Sequence, residues 1–295
     1  MLAAVLLALL STPPPHADHP PKAAGLAVTI LYDAFTDRPD LRPDWGFSAL
    51  IEYHGKRILF DTGDNATILA ENARRLHVDL RHLDFIVISH RHSDHTAGLP
   101  FVLGESPATP LYAPREPFSV FGGVLPTSFL RSDSSLPVAM RYFGGRPPDS
   151  LETGTLWPAT HITLVDSTLE IAPGIQLVTT VSRAPGTLEL RELSLVLHTP
   201  QGLVVVVGCS HPGIENILAA TGRLDPHVHA IIGGLHLVTT PDSAIVSLVG
   251  RLHDQWHLDR VAPGHCTGEP AFAAFRTAFG TDDLYAGLGT RLVDP

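Results

Sequence analysis

The sequence predicts an α/β fold in which two β blocks pack as a two-sheet sandwich covered by helices. Three observations carry that expectation. Alternating or β-branched apolar runs gather in two groups, at residues 26–60 and 161–207. Stretches of helical period stand between and after them, at 65–76, 214–220, 243–256 and 270–279. Apolar runs ending at Ile88, Val207 and Ala262 each lead into a polar, Gly-bounded loop. Such loops are where α/β folds present functional side chains.

Composition narrows the classes. A chain of 295 residues can bury an ample core. With 44% apolar and 17% charged residues it is globular rather than disordered. The net charge of −10, with no Lys/Arg run, argues against a nucleic-acid or anionic-membrane partner; the expected partner is a small-molecule substrate. Cys209 and Cys266 are the two cysteines, each next to a candidate ligand, which argues against a disulfide framework. Met1–Leu10 is apolar and precedes Ser11-Thr12-Pro13-Pro14-Pro15, as a signal-peptide core would. Residues 1–25 are read as a signal-like segment and Pro-rich linker, and 26–295 as the domain. The expected location is periplasmic or secreted, and cytoplasmic if the apolar start is no leader. No cysteine follows the run to carry a lipid, so no membrane anchor is expected in the mature form.

The elements follow in order. Leu26–Tyr32 reads as the first strand. Phe47–Tyr53 and Lys56–Phe60 flank His54-Gly55, a hairpin turn. Asn65–Leu76 reads as a helix, and Asp61 ahead of it as a candidate cap. Phe85–Ile88 is a buried strand, Leu99–Leu103 continues from the loop after it, and Pro110–Ala113 is a short strand. From Arg115 to Pro158 the pattern dissolves into Gly, Pro and Ser with Phe118, Phe121, Phe129, Tyr142, Phe143 and Trp157. This insertion at 115–158 is a surface excursion or a substrate-covering lid, and its aromatics favour the lid. His161–Val165, Leu169–Ile171 and Ile175–Val181 form the second block. Leu193–His198 and Leu203–Val207 add a hairpin around Pro200-Gln201-Gly202. Ala230–Ile232 is a further strand, and Leu284–Leu292 a closing edge strand.

The loop Ser89-His90-Arg91-His92-Ser93-Asp94-His95 carries the chemistry. Three imidazoles and a carboxylate within six positions are ligand types at ligand spacing. His90 and His92 can aim at one ion, Asp94 and His95 at a second, and two ions about 3.5–4 Å apart hold a shared water. Imidazole and carboxylate suit zinc, with iron or manganese as alternatives. His211 in Gly208-Cys209-Ser210-His211-Pro212-Gly213 and His265 in Pro263-Gly264-His265-Cys266-Thr267-Gly268 are read as the remaining ligands. Cys209 and Cys266 are thiolates beside metal or small buried residues. The histidines at 54, 77, 82, 161, 198, 227, 229, 253 and 257 lack this setting and read as surface or hydrogen-bonded groups.

His90-x-His92-x-Asp94-His95 resembles the signature of the metallo-β-lactamase superfamily, and the chain is similar to that family over most of its length. The resemblance implies a four-layer αββα sandwich, with metals at one edge of the two sheets and hydrolysis as the common chemistry. Phe60-Asp61-Thr62-Gly63 resembles a family element whose aspartate supports the metal loop, so Asp61 is either that support or the helix cap. The loops at Cys209–His211 and His265–Cys266, with Gly233-Gly234-Leu235-His236-Leu237, resemble the dihydropterin-methyl-ribofuranosyl-aminobenzene-phosphate synthase-like subgroup. That likeness implies a pterin- or folate-like ligand. The chain departs from the family hydrolases in two places. No His stands near Thr179–Pro185, and Gly208-Cys209 replaces the Gly-Asp whose carboxylate bridges the metals. Cys209 or His236 is left for that role, and His236 is a metal or substrate contact.

The expected activity is metal-dependent hydrolysis of an ester, lactone or phosphoester, with one or two zinc ions activating water and Asp94 orienting it or taking its proton. The alternative is a pterin- or folate-binding, synthase-type protein with little hydrolysis.

Overall fold

In the computed structural model, which describes residues 25–115, 123–153, 162–184, 189–280 and 284–295, the apolar runs build two large sheets. The chain runs β1 (Ala27–Tyr32), β2 (Ser48–Tyr53), β3 (Lys56–Phe60), α1 (Ala66–Arg75), β4 (Phe85–Val87), α2 (Ser93–Thr96), α3 (Leu99–Glu105), β5 (Leu111–Pro114), β6 (Gly123–Pro126), β7 (Ser150–Thr153) and β8 (Ile162–Val165). It continues through β9 (Leu169–Ala172), β10 (Ile175–Val181), β11 (Arg191–Thr199), β12 (Gly202–Val207), α4 (Ile214–Thr221), β13 (Val228–Gly234), α5 (Asp242–Asp254), β14 (Arg260–Gly264), α6 (Glu269–Phe279) and β15 (Arg291–Val293).

One sheet has the order β15-β1-β2-β3-β4-β5-β8, the other β14-β13-β12-β11-β10-β9, and β6 pairs with β7 in a small ribbon. Between the large sheets, Val28, Ile30, Ile51, Ile58 and Phe60 meet Leu193, Leu195, Leu197, Val204 and Val206. Outside the first sheet, Ile68, Leu69, Leu99 and Val102 of α1 and α3 pack on Leu31, Leu50, Leu59 and Ile86. Outside the second, Ile217, Ile245, Val249 and Phe275 of α4, α5 and α6 cover Val205, Ile231 and Val261. The layers are therefore helix, sheet, sheet, helix, as expected. Strands β12, β13 and β14 are parallel neighbours joined through α4 and α5, so their C-terminal ends open on one edge.

Local rules account for the turns and caps. His54 and Gly55, at φ 47° and 71°, form the left-handed pair that a two-residue hairpin needs. The Asn65 side chain accepts from the Thr67 and Ile68 amides and caps α1, which leaves Asp61 free of that task.

Three expectations change. Strand β8 was grouped by pattern with the second block, but it pairs in parallel with β5 and ends the first sheet. Alternation reports which face of a strand is buried, not which sheet it joins. The closing strand is only Arg291–Val293, and it returns to β1. In the 115–158 insertion, the described part holds the β6–β7 ribbon and single 3-10 turns at Thr127–Phe129, Val138–Met140 and Tyr142–Gly145. Phe118, Phe121, Trp157, His161 and the signal-like residues 1–24 lie outside the described residues. Among the described residues, no helix is long and apolar enough to cross a membrane.

Two glycine substitutions should move stability in opposite directions. A Cβ on Gly98 would stand 2.0 Å from the Thr62 carbonyl oxygen, so Gly98→Ala is expected to cost about 1–3 kcal/mol. A Cβ on Gly250, inside α5, meets nothing within 4 Å, so Gly250→Ala is expected to add about 0.5–1 kcal/mol. Denaturant midpoints at unchanged slope check both.

Candidate metal centre

Strands β3 and β4 of one sheet and β12 and β14 of the other stop at a common edge, and the polar loops begin there. The sheets approach closely: a Cβ on Gly208 would fall 2.2 Å from Ser89 Oγ and 3.0 Å from Asp61 Oδ2. Only glycine fits that crossing.

The structure brings the expected residues together in two adjacent groups. His90, His92 and His211 offer three ring nitrogens within 4.8 Å of one another. Asp94, His95, His265 and Cys209 form the second group, within the same reach. A third group, Cys209, His236 and Cys266, shares Cys209 with the second. His236 thus stands with the two thiols, its ring centroid 4.2 Å from that of His211. Cys209, where the family hydrolases carry the bridging aspartate, has its Sγ 3.2 Å from His95 Nε2.

Hydrogen bonds fix how the rings face. Asp61 Oδ1 accepts from the Ser89 amide at 2.6 Å, and Oδ2 accepts from Ser89 Oγ at 2.7 Å. With its proton spent on Asp61, Ser89 Oγ accepts from His90 Nδ1 at 2.8 Å. Asp61 Oδ2 also accepts from His95 Nδ1 at 2.6 Å. Both rings therefore carry hydrogen on Nδ1, and in the neutral form each turns a bare Nε2 lone pair to the centre. His90 Nε2 lies 3.1 Å from His92 Nδ1, and His95 Nε2 lies 3.2 Å from His265 Nε2.

Two further carboxylates hold the opposite loops. Glu192 accepts from the amides of Cys209, Ser210 and His211 at 2.9, 2.7 and 2.8 Å. Asp33 accepts from the amides of Phe35 and His265, both at 2.8 Å. Burial pushes Asp33 up to about 7, against the pull of His265. Sequence reasoning missed both residues, and Trp45, whose ring stands 5.0 Å from that of His265. Asp33 did carry a signal, as a carboxylate directly after an apolar strand. Glu192 carried none that separates it from a solvent-facing strand residue. Four non-glycine residues of the rim, Asp61, Ser210, His236 and His265, adopt left-handed φ of 59°, 62°, 51° and 48°.

The described part of the insertion lies against this rim. Phe129 meets Trp45 edge-on at 5.4 Å, and Tyr142 packs on Phe35 at 4.1 Å and Trp45 at 5.6 Å. Buried Glu269, opening α6, accepts from the Tyr142 amide at 3.2 Å and from the Asp133 amide.

The electrostatics and spacing suit a cation. Burial drives His90 and His211 well below the usual imidazole range, and His92 down to about 4, so all three stand neutral with lone pairs available. Burial alone would raise Asp94, but the imidazoles of His95 and His265 hold it well below the usual carboxylate range. Burial raises the Cys209 thiol; the Cys266 thiol, hydrogen-bonded by Cys209 and His236 and facing His265, is lowered despite burial. Both ring nitrogens of His211 and Nδ1 of His236 and His265 are buried without a hydrogen-bond partner, a cost that a ligand would remove. A tetrahedral ion with bonds of about 2.0–2.3 Å sets its donors about 3.3–3.8 Å apart. The observed edges are 3.2 Å for His95–Cys209 and for His95–His265, 3.3 Å for Asp94–His265 and 3.7 Å for Asp94–His95. The donor set fits such an ion.

Comparison with known proteins agrees with this architecture. A 7,8-dihydropterin-6-methyl-4-(β-D-ribofuranosyl)-aminobenzene-5'-phosphate synthase from Methanocaldococcus jannaschii is 31% identical over 83% of this chain and 90% of its own. The crystal structure of Tm1679, described as a metal-dependent hydrolase of the β-lactamase superfamily, superposes with a TM-score of 0.66 at 25% identity, covering 90% of this chain and 98% of that one. YhfI from Bacillus subtilis, a metallo-β-lactamase fold protein, shares the fold with a TM-score of 0.56 at 14% identity, over 92% of this chain and all of its own. The metallo-β-lactamase superfamily model matches residues 41–248, and the chain belongs to that superfamily.

Proposed function

We propose that the protein is a metal-dependent hydrolase acting on an ester, lactone or phosphoester bond of a small molecule. One observation carries this reading: two adjacent groups of imidazole, carboxylate and thiol donors at one sheet edge. His90, His92 and His211 would hold one ion, and Asp94, His95, His265 and Cys209 a second. Zinc suits the mixed nitrogen, oxygen and sulfur donors best, with iron or manganese as alternatives. When bound, such ions supply a water acidic enough to ionise near neutral pH and a positive charge against the developing oxyanion.

The residues of the chain do the rest. Asp94, held ionised, accepts a hydrogen bond from the attacking water and orients it. His236 is hydrogen-bonded to the Cys266 thiol, and that contact raises it against the effect of burial. Its Nδ1 has no protein partner, so it can give a proton to the leaving oxygen. Asp61 keeps His90 and His95 aimed inward. The insertion's Phe129 and Tyr142, packed on Trp45 from the loop after β1, form an aromatic wall that limits water at one side and covers the substrate.

The 31% identity to the methanogen synthase favours a second reading, in which the same pocket takes a phosphorylated pterin-like ligand with little hydrolysis.

Removing the ions with a chelator, or substituting Asp94→Ala, is expected to lower turnover on a panel of esters, lactones and phosphodiesters by about a hundredfold or more. Turnover that survives both treatments overturns the hydrolase reading. Cobalt-substituted protein is expected to show a thiolate-to-cobalt absorption band that Cys209→Ser lacks; an unchanged band removes Cys209 from the ligand set. Titration with phosphorylated pterin and folate compounds, followed by ligand fluorescence, decides the second reading: it expects saturable binding that competes with hydrolytic substrates, and no binding across that class ends it.

A further inference from the structure

A second cluster of metal-ligating side chains lies at the other pole of the second sheet. Strand β13 ends toward the centre described above, with His236 two residues beyond it. Its start carries His227 and His229 instead. Residues 230–234 of the strand lie between His229 and that end, about 17 Å at 3.3 Å per residue, and the clusters share no donor.

The geometry is specific. His227 Nε2 lies 3.0 Å, and His229 Nδ1 2.6 Å, from the same oxygen, Asp259 Oδ2. One donor atom from each of the three residues lies within 4.8 Å of the others. Asp259 immediately precedes β14, one step before the Ala230–Arg260 rung that joins β13 to β14. Opposite β12, the register of β13 slips between Val228 and Ala230, so His229 is the bulged residue. A bulge re-aims one side chain out of alternation, and here both imidazoles reach one carboxylate. The backbone beneath is tied down: the His227 amide donates to Asp225 Oδ1 at 2.9 Å, and its carbonyl accepts from the Leu203 amide at 2.9 Å.

We infer that His227, His229 and Asp259 form a peripheral site for a divalent transition-metal ion. Two imidazoles and one carboxylate are borderline donors that suit zinc, nickel or copper and do not suit magnesium or calcium. With His227 and Asp259 each 46% exposed and His229 14% exposed, the ion would keep open positions filled by water. The site would exchange its ion with solvent and would not be a closed structural centre. It does not rest on the proposed hydrolase activity.

The test counts zinc. Protein saturated with zinc is brought to equilibrium dialysis, wild type beside His227→Ala, His229→Ala and Asp259→Asn, with His253→Ala as an exposed-histidine control. The three cluster variants are expected to bind one zinc equivalent fewer than wild type, while His253→Ala binds the same number. Turnover on the best hydrolytic substrate should be unchanged in all four, and magnesium should not compete. Asp259→Asn keeps the shape of the side chain, and a thermal melt of each variant without added zinc separates lost binding from lost folding. Equal stoichiometry in wild type and folded cluster variants overturns the inference and leaves an ordinary His–Asp–His hydrogen-bond cluster.

Discussion

The carboxylate of Asp61 is the constraint on which the rest of the centre depends. It stands at the end of β3, is fully buried, and accepts from Ser89 twice and from His95 once. Through Ser89 it also sets the ring of His90. One side chain therefore decides which nitrogen two imidazoles present, and joins the end of β3 to the loop after β4. A buried carboxylate is tolerable only when its oxygens are fully used, and here the hydrogen bonds that make it tolerable are the ones that aim the donors. The opposite sheet repeats the device with Glu192 on three consecutive amides and Asp33 on the amide of His265. Three buried carboxylates thus hold the loops from behind, through atoms that do not face the centre.

Much of this was legible in the sequence. The helices α1, α4, α5 and α6 and the two hairpins followed from periodicity and turn residues, and the loops that carry His90, His92, Asp94, His95, His211 and His265 stood out as polar, Gly-bounded breaks after apolar runs. Sheet membership of β8 was not legible, because a four-residue strand reads the same in either sheet. Asp61 had two equal readings until Asn65 was seen to cap α1. Glu192 stayed hidden because its importance lies in backbone amides 17 to 19 residues away, and amides leave no mark in a sequence. The His227–His229–Asp259 cluster was invisible for a similar reason: it depends on a slipped rung and a neighbouring strand.

The insertion explains why substrate is the least legible property. Of its described aromatics, Phe129 and Tyr142 pack on Trp45 and Phe35, which lie in the loop after β1. Glu269, at the start of α6, fixes the segment from below. The surface that a substrate would meet is therefore assembled from three distant parts of the chain. The insertion and the loop after β1 have no periodic pattern, and the helical period of α6 does not say what Glu269 at its start will meet, so none announces its partner.

The left-handed residues of the rim carry a consequence for how this protein can change. Each such residue costs of the order of 1–3 kcal/mol, and a whole domain is stable by only about 5–15 kcal/mol. Four of them at one edge are sustainable because a broad apolar interior sits underneath. A lineage that thinned that interior would lose the shape of the rim before it lost the sandwich, so turnover would be forfeited while the chain still folded. Drift in the buried valines and leucines is in this way coupled to chemistry that none of them touches.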